Sequence, residues 1–298
     1  MPLNPRRLRL SGRARLSALG VASLLVGYMA LVAWGGGWQP RFDDRFAWQG
    51  DSPLLFAHRG AAVGVPENSE ASLAQARALG FRALEVDVRK TRDGKLVLFH
   101  DKSARRMLGL DAELRALTLE QLRRHRLLFG GRETVHGVIT LRHALQQLGR
   151  SMLFYLDVKV RSFDDADQVA ALIEELGLLD RTIVASVDPL FVAYLEHRHP
   201  RVNTALERFD FSQVWLYQLT PARWKPDYLA GLARKVTPSH VAWLHEQGLI
   251  SKRIVFGLDA ALYGRMLRFG IGKAIVAYDP ALHAEALASG AGAADRPR

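Results

Sequence analysis

The 298-residue chain contains no cysteine, which excludes disulfide bonds, thiolate catalysis and cysteine-ligated zinc. Acidic residues are also absent from its first fifteen positions, where five arginines supply nearly half of the net charge of +11. No basic stripe interleaved with aromatic residues, zinc-finger spacing or helix-turn-helix signature is present, so a nucleic-acid partner is not expected. The modest basic excess elsewhere in the chain favours anionic ligands such as phosphate esters.

Residues 16–34 form the longest apolar stretch, nineteen residues without a charge. A helix of that length rises about 28 Å, close to the roughly 30 Å hydrocarbon core of a bilayer. The segment therefore predicts a transmembrane helix or uncleaved signal anchor that follows a basic cytoplasmic tail, residues 1–15. The chain is therefore expected to be a single-pass membrane protein. Its folded domain would lie on the non-cytoplasmic side of the membrane, which is the periplasm if the protein is bacterial. The alternative is a cleaved signal peptide, since Ala33-Trp34-Gly35 is an acceptable cleavage site.

Short apolar runs alternate with helical patterns from residue 54 onward. This alternation predicts a parallel α/β sheet, and eight strands predict closure into a (β/α)8 TIM barrel. The expected strands are 54–60, 83–90, 96–101, 152–158, 182–186, 202–207, 253–258 and 274–279. The barrel domain is therefore predicted over residues 54–285, after a linker at 35–53 and before a flexible tail at 286–298.

Two parts of this pattern are ambiguous. Residues 91–95 are too few for a crossover helix between the second and third strands, so a hairpin-like turn is expected there. Residues 208–237 include a possible short strand at 234–237 and an aromatic stretch at 214–228. We interpret the aromatic stretch as an insertion over the mouth of the barrel.

Polar side chains concentrate at the ends of the first four predicted strands, where TIM-barrel enzymes place their active sites. They are His58, Arg59, Glu85, Asp87, His100, Asp157 and Lys159. Strand alternation puts Glu85 and Asp87 on one face and their apolar neighbours on the other, so both carboxylates are expected inside the barrel. Asp157 follows the same alternation on its own strand. Three such carboxylate ligands suit one divalent cation, Mg²⁺, Ca²⁺ or Mn²⁺.

A purely structural interpretation of these residues is also open. Glu85 and Asp87 could pair with Arg89 or Lys159 in an ion-pair network, and a lone buried histidine is more often structural than catalytic. The convergence of seven such groups on one rim of one barrel favours a functional site.

The order of these motifs resembles the glycerophosphodiester phosphodiesterase family. The matching segments are Phe56-Ala57-His58-Arg59-Gly60, Pro66-Glu67-Asn68-Ser69, Leu84-Glu85-Val86-Asp87-Val88, Leu98-Phe99-His100-Asp101 and Leu156-Asp157-Val158-Lys159. The spacing around Asp157 and Ser186 is most similar to that of membrane-bound members that act on glycerophosphoinositol.

The resemblance implies a role for each residue of the cluster. Glu85, Asp87 and Asp157 would bind the metal, His58 and His100 would be the general acid–base pair, and Arg59 and Lys159 would hold the phosphodiester. The implied reaction is metal-dependent hydrolysis of glycerophosphodiesters, small or lipid-derived, to glycerol 3-phosphate and an alcohol. Many family members have Glu where Asp157 stands.

Two alternative functions are retained. One is lysophospholipase D-type hydrolysis of membrane lysolipids, which would use the same fold and metal site. The other is a non-catalytic, membrane-anchored binding protein. Retention of all seven rim residues argues against the second alternative.

Overall fold

The computed structural model describes residues 12–35, 46, 53–160, 162–282 and 284. Its strands are β1 (Leu54–His58), β2 (Ala83–Lys90), β3 (Leu96–Leu98), β4 (Leu128–Phe129), β5 (Arg132–Glu133), β6 (Leu153–Val158), β7 (Thr182–Ser186), β8 (Asn203–Leu206), β9 (Tyr228–Leu232), β10 (Arg253–Phe256) and β11 (Lys273–Val276). Its α-helices are α1 (Gly12–Gly35), α2 (Glu70–Ala78), α3 (Arg105–Leu108), α4 (Leu119–Arg123), α5 (Leu141–Leu148), α6 (Phe163–Glu175), α7 (Pro189–Arg198), α8 (Val214–Leu219), α9 (Pro238–Glu246) and α10 (Ala260–Arg268).

Eight parallel strands close into a barrel in the order β1, β2, β6, β7, β8, β9, β10 and β11. The circle closes because β1 pairs with β2 on one side and with β11 on the other. All eight strands therefore end at the same face of the barrel, where their carboxyl ends place the loops that follow them. The predicted TIM-barrel architecture is confirmed.

The third predicted strand is not a barrel strand. β3 pairs antiparallel with β2, with Val88 opposite Leu98, and lies outside the closed circle. The five-residue connection cannot span a crossover, so the chain turns back on itself, as expected from its length. The polar pair that follows β3 still reaches the carboxyl face, because β3 runs beside the C-terminal half of β2.

The remaining barrel strand is β9, in the stretch that the sequence left ambiguous. Its residues Tyr-Leu-Ala-Gly-Leu have weak strand propensity, and the expected short strand at 234–237 is instead a helical turn, Ala233–Lys235. Position 231 requires glycine because two neighbouring groups lie very close to its backbone. A Cβ at this position would lie 2.3 Å from the Phe209 carbonyl oxygen and 2.6 Å from a guanidinium nitrogen of Arg253. Packing of this strand therefore overrides its local propensity.

Apolar side chains pack on both faces of the barrel strands. Inside the barrel, side chains such as Phe56, Tyr155, Tyr228 and Ile254 fill the interior, and Phe46 stacks on Phe56 from the chain before β1. Outside, the alternate strand residues pack against the helices. A smaller cluster fills the excursion between β3 and α5, which contains α3, α4 and the β4–β5 hairpin; it includes Phe99, Met107, Leu114, Leu122 and Val138.

The N-terminal helix α1 contacts the barrel through its C-terminal half. The Tyr28 hydroxyl donates to the Leu219 carbonyl at 2.9 Å, and the Arg223 guanidinium lies 4.1 Å from the centre of the Trp34 ring. Within the described part of the chain, none of the helices has the length and apolarity needed to cross a membrane. The transmembrane segment predicted at residues 16–34 is therefore not supported, and the non-cytoplasmic localisation that depended on it stays a prediction.

Most of the predicted tail at 1–15, nearly all of the linker at 35–53 and the tail at 286–298 lie outside the described residues.

Candidate active site

The candidate metal ligands lie on adjacent strands. Glu85 and Asp87 are on β2 and Asp157 is on β6, where Asp87 and Asp157 are register partners. Leu84, Val86 and their counterparts on β6 pack outward against the helices, so strand alternation turns the three carboxylates inward. Burial is nearly complete, with exposures of 3% for Glu85, 1% for Asp87 and 8% for Asp157.

These three carboxylates offer oxygen atoms that all lie within 4.8 Å of one another. Burial, followed by the negative charges of Asp87 and Asp157, raises the pKa of Glu85 well above its usual value. Burial and the charge of Asp87 also raise the pKa of Asp157, despite the opposing charge of Lys159. A divalent cation would relieve this repulsion, and an all-oxygen donor set suits Mg²⁺, Ca²⁺ or Mn²⁺. The chemistry of the residues therefore fits a metal site.

Two cations lie against this acidic cluster. Lys159 Nζ is 3.1 Å from Asp87 Oδ1 and also contacts Asp157, while Arg59 Nε is 3.2 Å from Asp87 Oδ2. Burial alone would raise the pKa of Asp87, but the charges of Lys159 and Arg59 outweigh it and lower that pKa. Arg59 and Lys159 therefore present positive charge to the same space as the carboxylates.

Backbone strain positions Arg59 and Asn68. Both residues have φ of 53°, in the left-handed region that non-glycine residues seldom adopt. The Asn68 side chain donates to Asp87 Oδ2 at 2.9 Å and accepts from the Asp87 backbone N–H at 3.1 Å. Asn68 thus fixes a metal-ligand candidate, whereas Ser69 is the residue that caps α2. Arg59 contacts Asp87 directly, and a strained backbone at such a position is typical of functional sites.

His58 ends β1 beside Glu85. Its Nε2 lies 4.0 Å from Glu85 Oε2, and the same carboxylate oxygen accepts the Arg59 backbone N–H at 2.8 Å. Burial, followed by the charge of Arg59, lowers the pKa of His58 to about 4. A neutral imidazole at pH 7 can accept a proton.

His100 is held by a chain of charged contacts along the rim. Asp101 Oδ1 lies 2.7 Å from His100 Nδ1, and Asp101 Oδ2 accepts from Arg106 Nε at 2.5 Å. Arg106 also binds Glu67 at 2.6 Å, and Glu67 in turn binds Arg59 at 3.0 Å. This chain connects the two sides of the cavity and leaves His100 Nε2 as the ring nitrogen available to a substrate.

Glu207 is a further acidic residue of the site that the sequence interpretation missed. It follows β8, lines the same cavity and accepts from the Tyr155 hydroxyl at 3.1 Å. Burial and the charge of Asp157 raise its pKa to about 8. The available signal was its position at the end of a predicted strand, which is the same signal that identified the other groups.

All seven predicted site residues line one cavity of about 410 Å³ at the carboxyl face of the barrel. Glu207 and Arg208 complete its polar wall, and Phe256, Leu258 and Ile275 form part of its apolar wall. The structure thus brings the predicted residues together, while the chemical role of each stays a prediction.

A comparison with known proteins matches the part of the chain that forms this cavity. The family model described as the glycerophosphoryl diester phosphodiesterase family matches residues 58–250, more than half of the chain. The chain belongs to this family. The match begins at His58, the first residue of the cavity, and includes all seven predicted site residues.

Two curated relatives illustrate the similarity. A glycerophosphodiester phosphodiesterase from Caldanaerobacter subterraneus is 26% identical over 159 residues, covering 51% of this chain and 65% of the relative. The human glycerophosphodiester phosphodiesterase 1 is 30% identical over 170 residues, covering 54% of this chain and 51% of the relative. The chain thus spans about half to two thirds of the length of these relatives.

Solved structures share the fold. A glycerophosphoryl diester phosphodiesterase from Parabacteroides distasonis superposes with a TM-score of 0.67 at 22% identity, covering 88% of this chain and 92% of its own. A phosphodiesterase from Oleispira antarctica was solved in complex with its product sn-glycerol-3-phosphate. It superposes with a TM-score of 0.66 at 20% identity, covering 80% of this chain and 97% of its own.

Proposed function

We propose that this protein hydrolyses glycerophosphodiesters to glycerol 3-phosphate and an alcohol, with the help of one divalent cation. The observation that carries the proposal is the meeting of three buried carboxylates, two cations and two histidines in one cavity. Family membership and the product bound to the Oleispira antarctica relative support the choice of substrate class.

The cavity divides into groups that bind and groups that move protons. Arg59 and Lys159 bind the phosphodiester oxygens and stabilise the negative charge that grows on them in the transition state. Glu85, Asp87 and Asp157 hold the divalent cation, which supplies additional positive charge to those oxygens when bound. Asn68 keeps Asp87 in place through its two hydrogen bonds.

The two histidines divide the proton transfers. His58, neutral at pH 7, accepts the proton of the attacking nucleophile, which is water or the glycerol's own 2-hydroxyl. In the second case the first product is a cyclic phosphate, which water then opens to glycerol 3-phosphate. His100, oriented by Asp101, donates a proton to the alcohol oxygen as its bond to phosphorus breaks. Each transfer contributes about 10²–10⁴-fold to the rate, so loss of either histidine lowers kcat by that order.

A lysophospholipase D activity is the second candidate. It is favoured by α8, where Trp215 is 61% exposed and Leu219 is 51% exposed, leaving apolar side chains available to a lipid aggregate.

One assay separates these functions. The full chain is incubated with glycerophosphocholine, glycerophosphoinositol or micellar lysophosphatidylcholine, with and without EDTA. We expect metal-dependent turnover of the soluble diesters. Turnover of the lysolipid alone would favour the second candidate, and binding without turnover of any of them would favour a non-catalytic protein.

A further inference from the structure

A second cavity, of about 350 Å³, lies beside the catalytic one and shares Lys159 with it. We call it the basic side pocket and define it by its five cations, Arg89, Lys90, Lys102, Arg115 and Lys159. Because Lys159 lines both, the two cavities adjoin at this side chain. The hydrolysis proposed above makes no use of the other four cations.

Local partners neutralise two of these cations. Lys90 pairs with Asp165, and Arg115 Nε lies 2.6 Å from Glu113 Oε2. Asp165 and Glu113 are the acidic residues that line the pocket. Lys159 is itself paired with Asp87 and Asp157. The remaining positive charge of the pocket therefore belongs to Arg89 and Lys102.

Arg89 and Lys102 form no ion pair within the part of the chain that the structure describes. Arg89 is half-buried, and its Nε donates to the His100 carbonyl oxygen at 2.8 Å, which fixes the guanidinium beside the catalytic cavity. A third cavity is lined by Arg89, Lys102 and His100 together, so the two cations face space that adjoins the catalytic histidine. Asp101 also lines this third cavity, but its carboxylate is held by His100 and Arg106. A partly desolvated guanidinium that is not held in an ion pair is a good receptor for an anion.

We propose that Arg89 and Lys102 bind a second anionic group, phosphate or carboxylate, carried by the alcohol part of the diester. The inference rests on the proposed function. The glycerol part of a glycerophosphodiester is uncharged, so an anion that reaches beyond the phosphodiester belongs to the other alcohol. The preferred substrates are therefore diesters whose leaving alcohol carries an additional phosphate or carboxylate.

Two matched substrate pairs test the preference. Glycerophosphoglycerol and glycerophosphoglycerol phosphate differ by one phosphate, while glycerophosphoethanolamine and glycerophosphoserine differ by one carboxylate. We expect a higher kcat/KM for the member with the additional anionic group, and the pair with the larger preference identifies the anion that the pocket takes. If the chain hydrolyses none of the four diesters, the proposed function itself fails.

Substitutions locate the preference in the side pocket. Lys102→Gln should lower kcat/KM for the diester with the additional anionic group about 3- to 5-fold, the range of an exposed ion pair. It should leave kcat/KM for the diester without that group unchanged. Lys95→Gln is the matched control, because Lys95 is exposed on the β2–β3 turn outside these cavities. Arg89→Gln should reduce further the ratio of kcat/KM for the diester with the additional anionic group to kcat/KM for the diester without it. The ratio is the correct readout because any displacement of His100 affects both substrates equally.

Two results would overturn the proposal. The proposal is wrong if active wild-type protein shows no preference for the member with the additional anionic group in either pair. It is also wrong if a preference exists but neither Lys102→Gln nor Arg89→Gln reduces it.

Discussion

Asp157 can act in one of two ways, as a direct ligand of the metal or as the charge partner of Lys159. Its carboxylate meets those of Glu85 and Asp87, but it also contacts Lys159, so the side chain has two potential roles. A direct ligand would lose affinity for the cation when its charge is removed. A partner of Lys159 alone would lose phosphate binding instead.

We expect Asp157→Asn to raise the metal concentration needed for half-activity by about tenfold or more, with a smaller effect on KM. The substitution preserves shape and removes one ligand charge from a buried site. Metal titration by calorimetry and by activity measures both quantities. Asp180→Asn, an exposed aspartate, is the control. Unchanged metal affinity in Asp157→Asn would assign the residue to Lys159 rather than to the metal.

Asp101 is expected to act on catalysis through His100. Asp101→Asn keeps a group near His100 Nδ1 but removes the charge that fixes the ring, so kcat should fall by about 10- to 100-fold while KM changes little. Asp111→Asn is a suitable control, because Asp111 forms an exposed ion pair with Arg105 at 2.5 Å in the same excursion. A normal kcat in Asp101→Asn would show that His100 needs no anionic partner.

At the scale of elements, residues that combine burial with function were the easiest to predict. The alternation of Glu85 and Asp87 with apolar neighbours on β2 indicated the inward carboxylates directly. The position of β9 could not be derived in this way, because Gly231 and Ala230 carry little strand signal and the strand depends on neighbours distant in sequence. The error at β3 has a local cause: it was counted among the eight barrel strands although its five-residue connection to β2 already indicated a hairpin.

Gly231→Ala tests the close approach that defines β9. The new Cβ would contact the Phe209 carbonyl and the buried Arg253 guanidinium, so we expect a loss of about 1–3 kcal/mol in the free energy of unfolding. Urea denaturation provides the measurement. Gly137→Ala is the matched control, because its Cβ would have only an ordinary contact at 3.6 Å. Equal stability of the two variants would contradict the packing described for β9.

At the scale of the whole molecule, the stability of the fold should depend on His240. This fully buried histidine lies among Phe209, Phe211 and Trp243, and neither ring nitrogen has a hydrogen-bond partner in the described structure. Burial, followed by the charge of Arg253, lowers its pKa from 6.5 to about 4. The unfolded chain therefore binds a proton at pH values where the folded protein does not.

Stability should consequently fall as the pH drops from 6.5 toward 4. Between pH 7 and pH 5 the contribution of His240 to this loss is about 2 kcal/mol. His240→Phe should remove that part of the pH dependence, whereas His245→Phe, the same change at an exposed position, should not. Urea unfolding at the two pH values measures the difference. Parallel pH dependence in wild type and His240→Phe would refute this assignment.

The most direct test of the proposed chemistry is to identify the bond that is cleaved. Phosphorus NMR can follow glycerophosphoinositol incubated with the wild-type chain, with chelator-treated protein and with the Glu85→Gln variant. We predict that the wild type releases glycerol 3-phosphate and inositol, and that the signal of this product is lost after chelation and in Glu85→Gln. Release of inositol phosphate, or undiminished hydrolysis by metal-free protein and by Glu85→Gln, would contradict the account.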